Sequence, residues 1–410
     1  MVRQPSTITC RRVREIVSVS SPDFVIVDPC IRRLVGHYAS YAAACREGLE
    51  AEGVSTICWA HRDVELAVAG ALNARAIFEH DCWYQFNTIP KVRFVADPPL
   101  AVRSFLHDAR AASRSTTGDP VFFAPTVDHR QLLAWAWWMG RSDAPRRAVL
   151  MLRYSFANPS GQGWVRAAAW VRLALRMLRR STAVRLATDS ARLAEEYREL
   201  GAAQVSVLPI PHTTAVRSAT RDAEAPLRIV SLGDARTEKG FALLGEAIAH
   251  LRAASRISEA EFIVQANIQA PAYAHLDEAR ARMRGLPGVT LIERALSQRE
   301  YEELLGGADL VVLPYDQGVY RARTSGPFAE ALAAGIPVVC TADTWMSDQL
   351  STYGGGEQCR SGDPDSLAQA IERAVTGLPA LTELAERRRD AWVAFHAPSH
   401  FSRMLRELVA

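Results

Sequence analysis

Short apolar runs alternate with amphipathic segments along most of the chain. Such runs are typical of strands buried on both faces, in parallel sheets that are covered by crossover helices. In the first half we predict strands over residues 24–28, 54–59, 121–124, 148–152, 184–187 and 205–208. In the second half we predict strands over residues 228–232, 262–265, 289–292, 310–314 and 337–340. Helices are predicted between strands, for example over residues 39–51, 131–139 and 190–201.

A polar segment interrupted by prolines, residues 209–226, separates the two series of strands and is predicted to be a linker. The 410 residues are enough for two hydrophobic cores. We therefore predict an α/β protein with two tandem Rossmann-like domains that face each other across a cleft. The predicted N-terminal domain spans 1–212 and the C-terminal domain 213–383, and a helix over 384–410 packs back toward the N-terminal domain. Ligands of such folds bind at the carboxyl ends of the strands, so we expect the site in the cleft.

The charge is distributed unevenly between the two halves of the chain. The formal net charge is only +3, but residues 1–212 carry 27 basic and 19 acidic residues, whereas residues 213–410 carry 21 and 26. The basic first half indicates an anionic partner such as a membrane surface, a lipid phosphate or a polyanionic sugar. The small total charge argues against a protein dedicated to binding nucleic acid. All basic residues are arginine except Lys91 and Lys239, which makes each lysine a residue of interest.

Cysteine spacing and hydropathy indicate the cellular compartment and exclude several classes of protein. The seven cysteines are odd in number and have no CxxC spacing, so we expect neither a disulfide framework nor a zinc site. No apolar run approaches the 18 residues that a membrane span requires, and residues 1–30 do not have the pattern of a signal peptide. We therefore expect a cytoplasmic location.

The segment 228–241, RIVSLGDARTEKGF, has the composition of a phosphate site. A predicted strand ends at a turn containing Gly233, and Arg236 and Lys239 precede a predicted helix. Two cations and the free backbone N–H groups of a helix start would bind phosphate. The alternative is a solvated turn with ordinary surface charges, and the segment alone leaves both open.

The segment 311–340, VVLPYDQGVYRARTSGPFAEALAAGIPVVC, is more informative. A strand is followed by a basic loop and by a helix start made of Arg323, Thr324, Ser325 and Gly326. Gly326 permits close approach of a ligand to the backbone, and the proline that follows suits a first helical turn. Glu330, one turn further on, could accept hydrogen bonds from the hydroxyls of a ribose. Otherwise it is an exposed helical residue near a favourable dipole end.

Together, GDARTEKG, LPY and TSGPFAEALAAGIPVV resemble the donor-binding domain of GT-B glycosyltransferases, particularly the retaining family 4 (glycosyltransferase group 1). The resemblance covers most of residues 226–375. It implies a GT-B fold and an enzyme that transfers a hexose from a nucleotide diphosphate sugar to a hydroxyl acceptor, with retention of configuration. It also implies that neither a metal nor another cofactor is needed. Asp363 and Asp365, in the only conspicuous DxD sequence, are instead predicted to form a helix-capping turn.

The resemblance also assigns roles to individual donor-site residues. In that family an arginine and a lysine hold the diphosphate, and two glutamates separated by seven intervening residues bind the sugar and the ribose. Lys239 matches the family's lysine, whereas Asp234 occupies the usual arginine position, so Arg236 is the expected substitute. Glu330 matches the second glutamate. Ala322 lies eight residues before Glu330, at the position where the family has the first glutamate. As an alternative to that glutamate, the Arg-x-Ser-Gly sequence of Arg323, Ser325 and Gly326 would form a phosphate site, as in divergent branches of the family.

Candidate residues in the first half rest on weaker signals. Gly36 and His37 resemble the glycine-rich loop that lies under the donor phosphates in GT-B enzymes, or belong to an ordinary strand-to-helix turn. His129 follows a predicted strand, where family members often carry a histidine close to the transferred sugar, or it is simply part of a capping turn. His80 and Asp81 resemble site residues as well. The expected catalytic residues are therefore His129, Arg236 and Lys239.

The segment 163–180 is informative about the acceptor of the sugar and about the location of the protein in the cell. It contains five arginines and no acidic residue, with arginines on one helical face and apolar residues on the other. Such a helix could lie on the inner face of a membrane and bring the site to a lipid-linked acceptor, as in bacterial polysaccharide biosynthesis, or it packs on its own sheet. The tryptophans at 135, 137 and 138 are predicted to be core residues. Two other functions remain open, a sugar-nucleotide 2-epimerase of the same fold and a non-catalytic nucleotide- or glycan-binding partner.

Overall fold

Two parallel β-sheets organise the chain. The computed structural model describes residues 21–33, 37–86, 93–155, 162–211, 225–269 and 271–410. The first sheet contains β1 (Phe24–Val27), β2 (Thr56–His61), β3 (Ala74–Phe78), β4 (Val121–Val127), β5 (Arg147–Leu152), β6 (Val184–Thr188) and β7 (Ser206–Val207). The second contains β8 (Arg228–Ser231), β9 (Glu261–Gln265), β10 (Val289–Ile292), β11 (Leu310–Leu313), β12 (Val338–Thr341) and β13 (Gly356–Cys359). We call the parts of the chain built on these sheets the first and the second domain.

Fifteen helices occur in the described residues. In the first domain they are α1 (His37–Ala51), α2 (Leu66–Ala71), α3 (Arg93–Arg114), α4 (His129–Met139), α5 (Gln162–Leu178) and α6 (Ala191–Glu199). In the second they are α7 (Phe241–Ala253), α8 (Asp277–Arg284), α9 (Gln298–Gly306), α10 (Gln317–Tyr320), α11 (Gly326–Ala333), α12 (Trp345–Tyr353) and α13 (Pro364–Thr376). The last two helices are α14 (Leu378–His396) and α15 (Pro398–Glu407).

The order of strands places a switch point in each sheet. The first sheet has the order β3-β2-β1-β4-β5-β6-β7 and the second has the order β10-β9-β8-β11-β12-β13, with parallel neighbours throughout. The order reverses between β1 and β4 in the first sheet and between β8 and β11 in the second. Loops at the carboxyl ends of these strands form the binding crevice of such sheets. The predicted α/β fold with two parallel-sheet domains is confirmed.

The central strands are buried on both faces, as their composition requires. Every residue of β1, β4 and β11 is buried. Separate hydrophobic clusters cover the two faces of each sheet. All eleven predicted strands are present, each with bounds within three residues of the expected ones. The predicted linker falls mostly on residues 212–224, which lie outside the described part of the chain.

The end of the chain differs from the single helix expected over 384–410. The helical structure is divided into α14 and α15 because Ala397, which precedes a proline, has an extended backbone (φ −62°, ψ 141°). Phe401 and Leu405 of α15 are fully buried in the first domain, in a cluster with Tyr41 of α1. Gly48 of α1 permits this contact, because a Cβ atom there would overlap the carbonyl oxygen of Pro398. The C-terminal helix therefore packs on the first domain although its predecessor packs on the second.

Candidate functional site

The turn after β8 brings a glycine and a lysine into contact. Gly233 has φ 107°, and its N–H donates to Oε1 of Gln265 at 2.7 Å. A Cβ atom on Gly233 would collide with the ammonium group of Lys239. The positive φ and this close approach together explain why glycine occupies the position. Lys239 ends a single 3₁₀ turn, Thr237–Lys239, directly before α7.

Lys239 lies close to two arginines and to two carboxylates. Burial lowers the pKa of Lys239 to about 8, and the neighbouring Arg236 and Arg323 guanidinium groups act in the same direction, whereas Asp234 and Glu238 act in the opposite direction. Its ammonium nitrogen lies 6.0 Å from the centroid of the Tyr315 ring. Within the described part of the chain, neither Lys239 nor Arg323 forms an ion pair. The structure thus brings together the three cations that the sequence singled out.

Arg236 is only loosely paired. Its guanidinium group lies 3.5 Å from Asp234 and 3.9 Å from Glu238, longer than a hydrogen bond, and its side chain is 36% exposed. Asp234 accepts shorter hydrogen bonds from the side-chain amides of Asn267 (3.0 Å) and Gln269 (3.1 Å). The aspartate therefore holds a neighbouring loop, and Arg236 retains donors for another anion.

The basic loop before α11 contacts both domains. On the second-domain side, the guanidinium group of Arg323 lies over the Tyr320 ring at 5.2 Å. On the first-domain side, the Thr324 hydroxyl donates to Oδ2 of Asp189 at 3.1 Å. Ala322 is 1% exposed and belongs to the core cluster of the first domain. The position where the resemblance implies a sugar-binding glutamate is therefore an apolar contact between the domains.

The helix start that follows has the predicted geometry. Ser325 is the N-cap of α11, and its hydroxyl accepts from the N–H of Phe328 at 3.4 Å. A Cβ atom on Gly326 would meet no heavy atom within 4 Å, so the space beside this glycine is open. Pro327 lies in the first turn, where its missing N–H removes no helical hydrogen bond. An open helix N-terminus thus lies directly after Arg323 and Thr324.

Glu330 is not an exposed helical residue. It is half-buried, and its Oε2 accepts a hydrogen bond from the hydroxyl of Tyr301 on α9. Burial raises the pKa of the Glu330 carboxyl above its usual range. The carboxyl is thus fixed in position one turn after the open helix start.

In the first domain, His129 begins α4 directly after the N-cap Asp128. The Asp128 carboxylate accepts from the N–H groups of Arg130 and Gln131, so this helix start is a capping turn, as one alternative predicted. Burial lowers the pKa of His129, which favours the neutral imidazole. Gly36 lies outside the described residues, and so does the side chain of His37, whose backbone begins α1.

The sequence did not single out a buried ion pair at the carboxyl edge of the first sheet. Arg153 follows β5 and donates to Asp189, which follows β6, over 2.9 Å. Both side chains are largely buried, and the pair leads to Thr324 through the hydrogen bond described above. Their positions directly after two predicted strands were the available signal, but single charged residues after a strand are common.

Several further predictions are resolved. Asp363 is the N-cap of α13 and accepts from the N–H of Ser366, which confirms the capping turn. Trp135 and Trp138 are core residues, whereas the prediction is wrong for Trp137, which lies on the outer face of α4 and is 49% exposed. The six cysteines in the described residues are free thiols.

The helix predicted over 163–180 is α5. Its buried residues Val171, Leu175 and Leu178 belong to the first-domain core, so this face packs on its own sheet. Arg172 and Arg176 are exposed on the other side. Over the described ranges, no helix is long and apolar enough to cross a membrane, and no three histidine, cysteine or acidic side chains are grouped as a metal site.

Solved structures with this fold cover nearly the whole chain. Anabaena HepE in complex with UDP and glucose has a TM-score of 0.68 and 12% identity, over 95% of this chain and 99% of that chain. Sucrose-phosphate synthase from Thermosynechococcus elongatus has a TM-score of 0.70 and 14% identity, over 95% and 98%. WaaG, a glycosyltransferase involved in lipopolysaccharide biosynthesis, has a TM-score of 0.64 and 14% identity, over 93% and 99%. No curated protein sequence matches the chain. The protein therefore has the GT-B fold.

The second domain identifies the family more closely. Residues 226–376 match the family model described as glycosyl transferases group 1. This range contains Arg236, Lys239, Arg323 and Glu330, and it begins and ends close to the limits of the resemblance seen in the sequence. The protein therefore combines the GT-B fold with a match to the group 1 glycosyltransferases over residues 226–376.

Proposed function

We propose that this protein transfers a hexose from a nucleotide diphosphate sugar to a hydroxyl acceptor, with retention of configuration. The observation that carries the proposal is the group of cations formed by Arg236, Lys239 and Arg323. Confining three positive charges that the nearby Asp234 and Glu238 pair only loosely costs free energy, part of which a bound anion would recover. A diphosphate carries the charge and the acceptor oxygens for several such donors.

The same groups would serve the chemistry. Heterolysis of the anomeric bond leaves negative charge on the departing diphosphate, and preorganised donors stabilise charge that develops in a transition state. Lys239, Arg236 and Arg323 would supply the cations, and the N–H groups at the start of α11 would add to them. Without a protein nucleophile, retention requires the acceptor hydroxyl to attack the face from which the diphosphate departs, and the hydroxyl proton would pass to the departing phosphate oxygen. His129, with its neutral imidazole, is proposed to donate a hydrogen bond to the sugar or to orient the acceptor.

The nucleoside is proposed to lie beside α11. Glu330 and the hydrogen bond from Tyr301 would present a fixed carboxyl to the ribose hydroxyls. HepE has been solved with UDP and with UDP-glucose, which makes a uridine nucleotide a reasonable first donor to test. Because Ala322 is buried against the first domain, that position would offer no carboxylate to the transferred sugar.

The acceptor is proposed to be a glycan or a lipid-linked sugar at the inner face of an anionic membrane. Arg172 and Arg176 lie beside the exposed apolar residues Leu173 and Met177 on α5. Arginines that flank exposed apolar side chains suit the interfacial region of an anionic bilayer. The basic balance of residues 1–212 supports the same orientation.

Lys239→Ala tests the diphosphate assignment. We expect turnover with a nucleotide sugar to fall at least about tenfold, which corresponds to roughly 1.4 kcal/mol in the barrier. Release of nucleoside diphosphate, measured across donors and acceptors, gives the rate. Arg299→Ala is the matched control, since it removes a cation that is 88% exposed on α9. Unchanged kinetics for Lys239→Ala would remove the lysine from the site, and nucleotide binding without turnover on any donor would indicate a non-catalytic partner.

Glu330→Gln tests the ribose assignment. We expect weaker binding of the nucleoside diphosphate, because a neutral amide is a poorer acceptor for two hydroxyls. Calorimetric titration with UDP and GDP measures the change, with Glu407→Gln, exposed at the end of α15, as the control. Equal affinity of Glu330→Gln and the parent for the nucleotide would exclude the ribose contact.

A further inference from the structure

An exposed tryptophan lies in the loop that follows β3. Trp83 is 55% exposed and the adjacent Tyr84 is 46% exposed. The loop lies at the carboxyl edge of the first sheet, where the fold places ligands. Large aromatic rings left half in water at such an edge are candidates for recognition, because the ring offers an apolar face.

A buried arginine holds the backbone on both sides of Trp83. The guanidinium group of Arg130 donates to the carbonyl oxygens of Cys82 and Tyr84. The same group is paired with Asp97 at 2.7 Å and with its own helix cap Asp128 at 2.9 Å, and these three side chains are at most 9% exposed. Burying a guanidinium group with two carboxylates costs free energy unless its donors are well used. Here the donors fix the main chain that carries the exposed ring.

The Trp83 side chain is itself fixed in orientation. Its backbone N–H donates to Oδ1 of Asp81 at 2.9 Å, and its indole N–H donates to the Tyr38 hydroxyl at 3.0 Å. The ring meets the Tyr154 ring edge-on, with centroids 5.9 Å apart and an interplanar angle of 86°. Because both N–H groups of the residue are satisfied by the protein, what remains exposed is a rigid apolar ring surface. Such a surface loses little conformational entropy on binding.

A short chain of contacts connects this ring to the donor loop. Tyr154, which touches Trp83, directly follows Arg153 in sequence. Arg153 forms an ion pair with Asp189, and Asp189 accepts a hydrogen bond from the hydroxyl of Thr324 in the loop before α11. Trp83 therefore lies on the edge of the first domain that contacts the donor-binding loop.

A polar pair lies next to the main chain of Trp83. Asp81, which accepts from the Trp83 N–H, forms an ion pair with Arg32 at 2.7 Å, and their side chains are 18% and 43% exposed. A pyranose presents an apolar face of C–H groups and a rim of hydroxyls, so it matches an exposed aromatic surface with a carboxylate and a guanidinium group close to it in the same loop region.

We propose that Trp83 is the stacking platform of a saccharide-binding site, with Arg32 and Asp81 hydrogen-bonding the sugar hydroxyls. That this saccharide is the acceptor rests on the proposed function, whereas saccharide binding itself does not. The ring face holds the C–H face of the sugar. The sugar would then lie on the edge of the first domain whose Asp189 accepts a hydrogen bond from Thr324 in the loop before α11.

The test compares Trp83→Ala and Trp83→Phe with Trp137→Ala. Trp137 is a matched control because it is similarly exposed, but it lies on α4 with the Arg141 guanidinium group over its ring at 4.7 Å. Methyl glycosides of glucose, galactose, mannose and N-acetylglucosamine, and disaccharides built from them, are titrated by calorimetry. Thermal unfolding checks that each variant is folded.

We expect Trp83→Ala to weaken saccharide binding and to raise the acceptor KM at least tenfold, with UDP affinity within twofold of the parent. Trp83→Phe should retain part of the affinity and Trp137→Ala all of it. Saccharide affinity that is unchanged in folded Trp83→Ala, or a parent that binds none of these sugars, would overturn the proposal. A parent that binds saccharides through Trp83 but no nucleotide would instead contradict the proposed function and leave this site intact.

Discussion

Single residues at the donor site show a conflict between folding and binding. Lys239 is held beside Gly233, Arg236 and Arg323, although burial and two like charges disfavour its charged form. On a protein surface, side chains of like charge normally lie apart or are paired with side chains of opposite charge. An arrangement that opposes the lysine's charge in the free protein is expected where an anionic ligand completes the site.

This lysine predicts a pH dependence of nucleotide binding. Its pKa of about 8 lies below the ordinary 10.5, so the free protein loses the ammonium charge as the pH rises through about 8. The terminal phosphate of UDP, with a second pKa of about 6, is almost fully ionised above roughly pH 7.5, and UDP affinity should therefore fall as the pH rises further through about 8. Calorimetry of the parent and of Lys239→Met measures it. The variant should bind more weakly at neutral pH and should lack this step, and a parent affinity that does not change across the range would contradict the assignment.

The effect of the same group on stability has the opposite sign. Between about pH 8 and 10.5 the unfolded chain holds the lysine proton and the folded protein does not. The contribution of Lys239 to the free energy of unfolding therefore increases with pH across this window. A loss of nucleotide affinity at high pH that arises from Lys239 would therefore not be accompanied by a loss of stability from this residue.

At the proposed donor site, the sequence predicted only those residues that belong to a recognisable motif. The cations and Glu330 belong to two short segments with such motifs, and the structure brings the cations together. Arg153 and Asp189 belong to different strands, and their pairing depends on the order of strands in the sheet. Asp189 also depends on a loop that lies 135 residues further along the chain. No local pattern contains such a contact.

At the scale of elements, strands with an apolar run were predictable, whereas one edge strand of each sheet was not. Continuous apolar runs such as those of β1 and β5 identify strands covered on both faces. β13 has the sequence GEQC at one edge of its sheet, and β3, ARAIF, is mostly half-buried at the edge of the other. Neither sequence offers an apolar run. α3 was missed as well, because Pro98 and Pro99 inside it interrupt a helical pattern.

The loop before α11 predicts coupling between the domains. Thr324→Val removes the hydroxyl that donates to Asp189, a hydrogen bond to a charged group that contributes about 1.5–3 kcal/mol. We expect the substitution to weaken UDP binding roughly tenfold or more, because the loop loses its contact with the first domain and Arg323 is adjacent. Arg153 continues to pair with Asp189, so the first domain should remain folded.

The control for this prediction is Thr352→Val on α12. That hydroxyl donates to the backbone carbonyl of Asp348 within its own helix. UDP affinity measured by calorimetry and thermal unfolding measured by circular dichroism separate the two effects. If Thr324→Val bound UDP as tightly as the parent, contact of the loop with the first domain would have no part in donor binding.

At the scale of the whole molecule, contacts away from the donor loop also join the domains. Arg192 on α6 donates to both carboxylate oxygens of Asp348 on α12. The buried indole of Trp392 on α14 donates to the carbonyl of Ala329 on α11 at 3.0 Å, and α15 then packs on α1. The chain returns to the first domain only after it has contacted α11, the helix proposed to bind the donor. A movement of one domain relative to the other is therefore expected to shift α11.

The exposed face of α5 predicts membrane binding. Each arginine near an anionic surface contributes about 1 kcal/mol, so Arg172→Ala with Arg176→Ala should lower affinity for vesicles containing phosphatidylglycerol by roughly thirtyfold. Sedimentation with these vesicles and with pure phosphatidylcholine vesicles measures it. High salt should weaken the parent's binding, since it shortens the Debye length to about 3 Å at 1 M.

The matched control is Arg387→Ala with Arg388→Ala, two exposed arginines on α14 in the acidic half of the chain. Because neither α5 arginine is placed at the donor site, UDP affinity should be the same in the α5 variant and the parent. Equal sedimentation of the α5 variant, the control and the parent would assign α5 to packing alone. The basic excess of the first half would then have to act on a soluble anionic acceptor, which these vesicles do not carry.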